Sequence, residues 1–330
     1  MAVTLQDVAK RAGVSKSAAS RTFTVGASVS KATRAKVEKA AAELGYTPNV
    51  LASSLTTGRT KLIGLISNNF TNPYFLEIFD RFTFSLQKAG LRPLLVNLSH
   101  TKDAAEALDM LRQYSVDGVI VASSTLPPDF AETFQGAGLP LVHAFGWSRP
   151  SPDTYLVSID NIAAGRFAGE ALVARGYGSI GYIGGPETAT TTQDRLAGLK
   201  DAVQHRFANA CFAEEYSFHA GRAEMQSVIA RGEVAKAYFC GDDVIAIGVL
   251  SALIDAGYKV PEDVGVLGLD DMEMAGWANI ALSTIRQPTE EIVETAVSLM
   301  QQAVNKEDAP ERTRLLPFSL VERGTLRPLP

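Results

Sequence analysis

The sequence predicts an α/β protein with a small all-α segment in front of it, and three observations support this prediction. The first is a basic N-terminal segment of about sixty residues with helical patterns and helix caps. The second is the alternation, from Leu62 onward, of short apolar runs with amphipathic stretches, which is typical of parallel sheets covered by helices. The third is length, because 330 residues of which 46% are apolar suit two or three domains with buried cores.

The N-terminal segment has the layout helix, turn, helix. Thr4 stands where it can cap the first helix, with Asp7 three residues later, and Ser15 stands where it can cap the second. Gly13 lies between them, where the chain must turn. This pattern indicates a helix-turn-helix, whose second helix enters the major groove of DNA.

Charge is distributed unevenly along the chain. Residues 1–61 carry a net charge of +7, whereas residues 62–330 carry −12. A basic end on an acidic body favours a nucleic-acid-binding module joined to a second unit. The alternative, that these helices are basic only because they are solvated, does not explain why the motif, the caps and the charge coincide.

A third helix is expected from Lys31 to Leu44, followed by a hinge. Pro48 and Gly58 bracket a stretch long enough for one or two helical turns. So short a helix is marginal in water, so we expect it to form only when something packs against it. The predicted organisation is a headpiece over residues 1–46, a hinge helix and linker over 47–60, and a C-terminal body over 61–330.

The body is expected to form two doubly wound lobes. Ligands of such folds bind beyond the carboxyl ends of the strands, which places them in the cleft between the lobes. Asp160 and Asp243 are expected to cap helices. The apolar runs that predict strands are Leu62–Ile66, Leu94–Leu98, Gly118–Ala122, Leu139–Ala144, Ile180–Gly184, Ala237–Cys240 and Val264–Leu269.

Several function classes are disfavoured. No apolar run approaches the roughly 20 residues of a membrane span, and no signal segment precedes the first helix, so a cytoplasmic protein is expected. Cys211 and Cys240 are far apart and predict neither a disulfide nor a metal site, and no cofactor is expected. A nucleotide-dependent enzyme is disfavoured because the glycines of 181–185 have the wrong spacing for a dinucleotide loop. An exported solute-binding protein would not carry the headpiece.

The chain resembles the LacI family of bacterial transcription regulators over essentially its whole length. The resemblance implies a homodimer on palindromic double-stranded operator DNA and a body similar to type I periplasmic binding proteins, with lobe 1 at about 61–159 and 289–317 and lobe 2 at about 160–288 and 318–330. No heptad repeat predicts a tetramer. The motifs that carry the resemblance are TLQDVAKRAGVSKSAASR, VSKATRAKVEKAAAELGYTPNVLASSL, NPYF at 72–75, DN at 160–161, RLAG at 195–198, GLDD at 268–271 and LSTIRQP at 282–288.

The resemblance also implies which residues contact DNA. Base contacts are expected from Lys16, Ser17 and Arg21, although Lys16 can equally serve as a phosphate contact. Leu55 matches a hinge leucine that wedges into the minor groove, the alternative being a linker residue packed on its own body. Alanines at 18 and 19 replace a Thr-Val pair that is common in the family. The expected DNA-binding residues are Ser15, Lys16, Ser17, Ser20, Arg21, Thr33, Asn49, Ala52 and Leu55.

A small sugar-like effector is the ligand that the resemblance implies for the cleft. Arg195 and Asp270 match the main polar ligands, and Asp242 stands where the family often has a neutral residue such as Asn. Arg195 could instead form an interlobe salt bridge, Asp270 could structure its own turn, and Asp242 could be a solvated acid at a helix start. Phe75 and Phe218 could be ordinary core residues. The expected effector-binding residues are Tyr74, Phe75, Trp147, Thr191, Arg195, Phe218, Asp242, Asp270 and Trp277.

The function predicted from the sequence is therefore that of a DNA-binding transcriptional repressor under allosteric control, not that of an enzyme.

Overall fold

The structure is a computed structural model that describes residues 3–24, 26–47, 58–99, 103–126, 129–146, 154–307 and 311–330. The chain divides into two compact units, residues 1–60 and residues 61–330. None of the described helices combines the length and apolarity that crossing a bilayer requires. The predicted hinge helix between Pro48 and Gly58 lies outside the described residues.

The first unit contains three short helices whose ends are set by local hydrogen bonds. Thr4 and Asp7 form a reciprocal capping box on α1, and Ser15 and Ser30 cap α2 and α3 as predicted. Gly13 ends α1 in the left-handed conformation, with φ of 66°. The bounds are α1 (Leu5–Ala12), α2 (Lys16–Phe23) and α3 (Lys31–Leu44), and the small core consists of Val8, Ala9, Ala19, Val37, Ala40 and Ala41.

The second unit alternates strands and helices. Its helices are α4 (Pro73–Lys88), α5 (Ala104–Gln113), α6 (Asp129–Gly136), α7 (Asn161–Ala174), α8 (Thr190–Val203), α9 (Phe218–Arg231), α10 (Asp243–Asp255) and α11 (Thr289–Asn305). Its strands are β1 (Leu62–Ser67), β2 (Arg92–Asn97), β3 (Gly118–Ala122), β4 (Leu141–Ala144), β5 (Tyr155–Ser158), β6 (Ile180–Gly184), β7 (Phe207–Phe212), β8 (Ala237–Cys240), β9 (Gly265–Asp270), β10 (Ser283–Arg286), β11 (Thr313–Leu315) and β12 (Ser319–Val321).

Two six-stranded sheets form the two lobes, which confirms the predicted fold class. The sheet of lobe 1 has the order β11-β5-β4-β3-β1-β2 and is parallel throughout. The sheet of lobe 2 has the order β12-β10-β9-β8-β6-β7 and is parallel except for β12. In each sheet the strand order reverses next to the lobe's first strand, which is where ligands of doubly wound sheets bind.

The chain passes between the sheets three times, after β5, after β10 and after β11. The carboxyl ends of β5 and β10 therefore lead directly into helices of the other lobe. Three predicted strand starts are shifted: the strands expected from Leu94, Leu139 and Val264 begin at Arg92, Leu141 and Gly265.

Glycines let neighbouring helices of lobe 2 approach at backbone distance. A Cβ atom on Gly198 of α8 would collide with the carbonyl oxygen of Ile162 in α7, and one on Gly165 of α7 would collide with the carbonyl oxygen of Arg195 in α8. Likewise, a Cβ atom on Gly221 of α9 would collide with the backbone of α10, and one on Gly248 of α10 would collide with the backbone of α9. The close α7–α8 contact fixes the position of the segment that carries Arg195.

Gly198→Ala should therefore destabilise the second unit by about 1–3 kcal/mol, the usual cost of overpacking. The reason is that the obstacle is rigid backbone and not the end of a flexible side chain. Urea unfolding measures the change. Gly178→Ala is the matched control because nothing lies within 4 Å of the added Cβ atom, and equal stability losses in the two variants would contradict the packing argument.

Candidate functional site

The second helix of the headpiece presents a basic, hydroxyl-rich surface. Lys16, Ser17 and Arg21 are exposed on α2, and Ser20 is half-buried beside them. The helix carries no acidic residue to oppose an anion. Ala19, at the second alanine of the pair that departs from the family pattern, is fully buried in the headpiece core. The substitution there is therefore a packing change, and it removes no exposed group.

The hydroxyls at the starts of α2 and α3 already serve as helix caps. Ser15 Oγ accepts a hydrogen bond from the Ala18 amide at 3.2 Å and lies 3.0 Å from Ser17 Oγ. Thr33 Oγ1 accepts a hydrogen bond from Ser30 Oγ at 2.8 Å. These side chains thus mark two helix N-termini, whose amides and dipoles suit phosphate. The other expected DNA contacts, Asn49, Ala52 and Leu55, lie outside the described residues.

A cavity of about 20 Å³, room for about one water molecule, lies between the two lobes, at the carboxyl ends of their strands. Both lobes contribute to its wall. Lobe 1 provides residues that follow β1, β3 and β4, and lobe 2 provides the end of β9 and residues that follow β6, β7, β8 and β10. The structure brings together five of the nine expected effector ligands here. The lining residues are Asn72, Tyr74, Phe75, Ser124, Phe145, Arg195, Tyr216, Asp242, Asp270 and Gln287.

Arg195 is held in place by its own lobe. Its Nε donates to Asn161 Oδ1 at 2.8 Å and its Nη1 donates to the Gly241 carbonyl at 2.5 Å. The side chain belongs to a residue that is 4% exposed. Within the described part of the chain it forms no ion pair, so the interlobe salt bridge considered above is absent there.

Asp242 caps a helix of lobe 2 and also accepts a hydrogen bond from lobe 1. Its Oδ1 accepts from the Ile245 amide at 2.8 Å and caps α10, so the cap is Asp242 and not Asp243 as expected. Its Oδ2 accepts from Asn72 Nδ2 of lobe 1 at 2.9 Å. Because the residue is 3% exposed, it is not a solvated acid. Asp160 caps α7 as predicted, through the Ala163 amide at 2.9 Å.

Asp270 ends β9 with a strained backbone and faces the cavity. Its φ is 125°, and Asp271 beside it has φ of 58°. Its Oδ1 accepts from Gln287 Nε2 at 2.6 Å. The following turn is stabilised by Asp271 instead, whose carboxylate pairs with Arg286 and Arg323 at 2.6 Å each. Asp270 is therefore not required to structure its own turn.

Aromatic rings supply the apolar part of the wall. Tyr74 packs edge-on against Phe75 and Phe145, with ring centroids 6.0 Å and 6.2 Å away. Phe75 is a buried core residue that also lines the cavity, and its contact with ligand stays a prediction. Phe145 and Tyr216 were missed by the sequence analysis. Phe145 directly follows β4 and Tyr216 follows β7 by four residues, so position after a strand was the available signal.

The remaining expected ligands lie elsewhere. Thr191 is buried and donates to the Ser124 carbonyl, Phe218 packs against the core and His219, and Trp277 is 47% exposed. The structure places none of these three in the cavity wall. Trp147 lies outside the described residues.

Among the described residues, four side-chain hydrogen bonds join the lobes. One, from Asn161 Nδ2 to the Gly146 carbonyl at 3.2 Å, lies beside the chain crossing that follows β5, and the other three span the cleft. Asn72 donates to Asp242 as described, and the Thr191 hydroxyl donates to the Ser124 carbonyl at 2.9 Å. On the side of α4, the Glu273 amide donates to the Glu77 carboxylate at 3.0 Å. Each bond joins one lobe to the other, so opening the cleft breaks all three.

Burial dominates the electrostatics of the site. Desolvation raises the pKa of Asp242 to about 6 and that of Asp243, behind the cavity, to about 7. It raises the pKa of Asp270 well above its usual range, and the neighbouring charges of Asp242 and Asp243 raise it further. Arg195 opposes these shifts. Among the described residues no cluster of His, Cys, Asp and Glu side chains could hold a metal ion.

Comparison with known families agrees with both units. Residues 4–49 match the family described as "Bacterial regulatory proteins, lacI family", and residues 170–326 match "Periplasmic binding protein-like domain". The chain is 34% identical over 335 residues to the HTH-type transcriptional repressor PurR of Salmonella paratyphi B, a match that covers 98% of this chain and 96% of that protein.

Two solved structures of regulators resemble this chain over nearly its whole length. The Lac repressor dimer bound to operator and the anti-inducer ONPF has a TM-score of 0.88 at 27% identity, covering 99% of this chain and 100% of that one. The transcriptional regulator CelR–cellobiose complex has a TM-score of 0.72 at 27% identity, covering 98% and 99%. These relatives are regulators, which confirms the prediction of a regulator over an enzyme.

Asp270→Asn should stabilise the protein at alkaline pH, because it removes a buried charge and keeps an oxygen for Gln287. A raised pKa means that the folded state binds the proton more tightly than the unfolded chain. The stability deficit is therefore absent below the unfolded value of 3.8 and grows as the pH rises above it. We expect the variant to unfold about 2–4 °C higher than the parent protein near pH 8 and at the same temperature near pH 4.

Thermal unfolding across this pH range measures the effect. Asp109→Asn, an exposed acid on α5, is the control and should show no pH-dependent gain. A gain for Asp270→Asn that does not change with pH would mean that the buried charge is not its cause.

Proposed function

Because the chain belongs to the LacI family of bacterial regulatory proteins, we propose that it is a transcriptional repressor whose grip on operator DNA is set by a small molecule in the cleft. The observation that carries this proposal is the combination of two sites in one chain. One is the exposed basic face of α2 in a helix-turn-helix unit. The other is a cavity of charged and aromatic residues between two lobes.

DNA binding uses the headpiece in two ways. Arg21 and Lys16 have the donors that read guanine in the major groove, and Ser17 can contact either base type. Ser15, Ser20 and Thr33 serve as phosphate contacts that set register. Leu55, with Asn49 and Ala52 in the hinge over residues 47–60, completes the contact in the minor groove.

A second copy of the chain provides the second headpiece that binding to a palindromic operator requires. Large apolar side chains are exposed on α4 and the adjacent edge strand β2, where Leu76 is 71% exposed, Phe84 69% and Leu95 50%. An exposed apolar face of this kind marks an interaction surface. The structurally similar Lac repressor is a dimer, and pairing of two copies of this chain through the exposed face would give an isologous interface.

The effector is a sugar or sugar derivative. The closed cleft leaves a cavity of only about 20 Å³, so a sugar ring enters when the lobes move apart. Arg195 and Gln287 can donate to hydroxyl oxygens, Asp242 and Asp270 can accept from hydroxyls, and Phe75 and Tyr216 provide apolar faces. Cellobiose in the CelR complex shows that a relative accepts a carbohydrate.

Control of operator binding acts through the three hydrogen bonds that span the cleft. A ligand that favours one lobe orientation shifts the balance between closed and open clefts by its differential affinity alone. Coupling of about 1–3 kcal/mol changes operator affinity about 5- to 150-fold. The lobe boundaries near residues 159, 288 and 318 are the places where this motion is taken up.

The decisive experiment is selection of bound fragments from a genomic DNA pool at low and high salt. A repressor enriches a short palindrome, and its affinity falls steeply as salt rises because counterions are released. Absence of any enriched sequence, with or without a carbohydrate mixture, would remove the proposal.

Arg21→Ala should weaken binding to the selected palindrome about tenfold or more, since it removes a base-reading donor. Fluorescence anisotropy with labelled operator measures the loss. Arg112→Ala, an exposed arginine on α5, carries the same change of charge away from the headpiece. If the two variants lose affinity equally, the loss reflects net charge and not contact through α2.

Arg195→Ala should abolish the response to effector while leaving operator affinity within about twofold, because the residue lies in the cleft of the second unit. The measurement is operator affinity with and without the ligand found by thermal-shift screening of sugars. An unfolding curve confirms that the variant is folded. A folded variant that still responds fully would show that Arg195 is not a ligand.

A further inference from the structure

The cleft contains more carboxyl groups than cationic side chains. The cavity wall carries Asp242 and Asp270 against Arg195. A groove that shares Tyr74, Asp270 and Gln287 with the cavity adds five more carboxylates and two arginines. The added charged residues are Glu77, Asp271, Glu290, Glu291, Glu294, Arg81 and Arg286.

The arginines of the groove are occupied by acids other than the two in the cavity. Arg286 pairs with Asp271 at 2.6 Å, and Arg81 lies 3.8 Å from Glu290. Arg195 donates to an amide oxygen and to a main-chain carbonyl. In the ranges that the structure describes, neither Asp242 nor Asp270 therefore has a cation within ion-pair distance.

Asp270 is the more open of the two cavity acids. It is 6% exposed, yet only its Oδ1 receives a hydrogen bond, from Gln287, among the described residues. Asp242 has both oxygens engaged, by Ile245 and Asn72. The Oδ2 atom of Asp270 accepts no hydrogen bond in the described part of the chain, and burial of the carboxyl group raises its pKa. The geometry thus leaves one acceptor ready for a donor brought by the ligand.

The kind of donor follows from the charge. Burial favours the neutral form of Asp270, and a hydroxyl ligand gives the ionised carboxylate no opposite charge. An ammonium group stabilises the ionised carboxylate and satisfies its free oxygen through a charge-assisted hydrogen bond. An anionic ligand, such as a sugar phosphate, would meet the acidic groove and two buried carboxylates. Arg195 and Gln287 remain available as donors to the ligand's hydroxyl oxygens.

We infer that the effector is an amino sugar, with its protonated amine beside Asp270 and its ring against the aromatic wall. This inference rests on the proposed function and narrows its ligand class. It also gives a function to the two acids of the cavity wall, which have no ion-pair partner among the described residues, since the bound ligand neutralises part of their charge.

The test is calorimetric titration of the full-length protein with matched sets of ligands near pH 7. The sets are glucosamine, galactosamine and mannosamine, their parent hexoses, and their N-acetylated forms, which keep the size of an amino substituent but lack the charge. At least one amine should bind about tenfold or more tightly than its parent hexose and its acetylated form. Equal or tighter binding of the neutral forms, or binding of no amine at all, would overturn the inference.

Asp270→Asn should reduce affinity for the bound amine about tenfold or more and change affinity for its parent hexose much less. Asp242→Asn gives a second variant if the first is unfolded, with a smaller loss expected because Asp242 already accepts two hydrogen bonds. Asp109→Asn is the control. Equal losses for amine and hexose would indicate a merely structural role and overturn the inference.

Operator binding separates the two proposals. A protein that selects a palindrome but ignores all three amines loses only the amino sugar assignment. A protein that binds amines but selects no DNA retains this assignment as a binding property and loses the proposed regulatory function.

Discussion

Burial of two carboxylates where the lobes meet is the constraint on which the second unit depends. Asp242 and Asp270 end or follow neighbouring strands of lobe 2, and the closed cleft keeps water away from both. Asn72 of lobe 1 satisfies one oxygen of Asp242 from across the cleft. Lobe closure thus both creates the desolvation and supplies part of its compensation, which ties the charge state of the cavity to the relative position of the lobes.

Rigid packing of the helices behind the cavity lets each lobe move as a unit. The glycines at 165 and 198 bring α7 and α8 to backbone contact, and Arg195 projects from α8 with two hydrogen bonds inside its own lobe. The corresponding groups of lobe 1 come from loops and from the start of α4. A ligand that touches both walls therefore acts on lobes that move as units, because close-packed cores transmit strain and do not absorb it.

The headpiece depends less on a buried core than the second unit does. Its core is small and made largely of alanine and valine, so helix caps contribute a larger share of its stability than they would in a large domain. In return its outward face is left basic and free of acids along α2. Such a unit suits a role in which contact with a charged duplex, and not burial, supplies the binding free energy.

The sequence by itself determined the helices of the headpiece, their caps, and the two α/β lobes. The capping bond from the Ala18 amide to Ser15 joins residues three positions apart, and hydrophobic periodicity distinguishes strands from helices. Both features therefore depend on residues that are close in sequence. Only the tertiary structure decided which residues share the cavity. Asn72 and Asp242 meet across 170 positions of sequence, and Phe145 and Tyr216 reach the wall only because their strands end at the same edge. It also placed Thr191, Phe218 and Trp277 away from the wall, because side-chain direction at a loop or helix start depends on packing that no local pattern encodes.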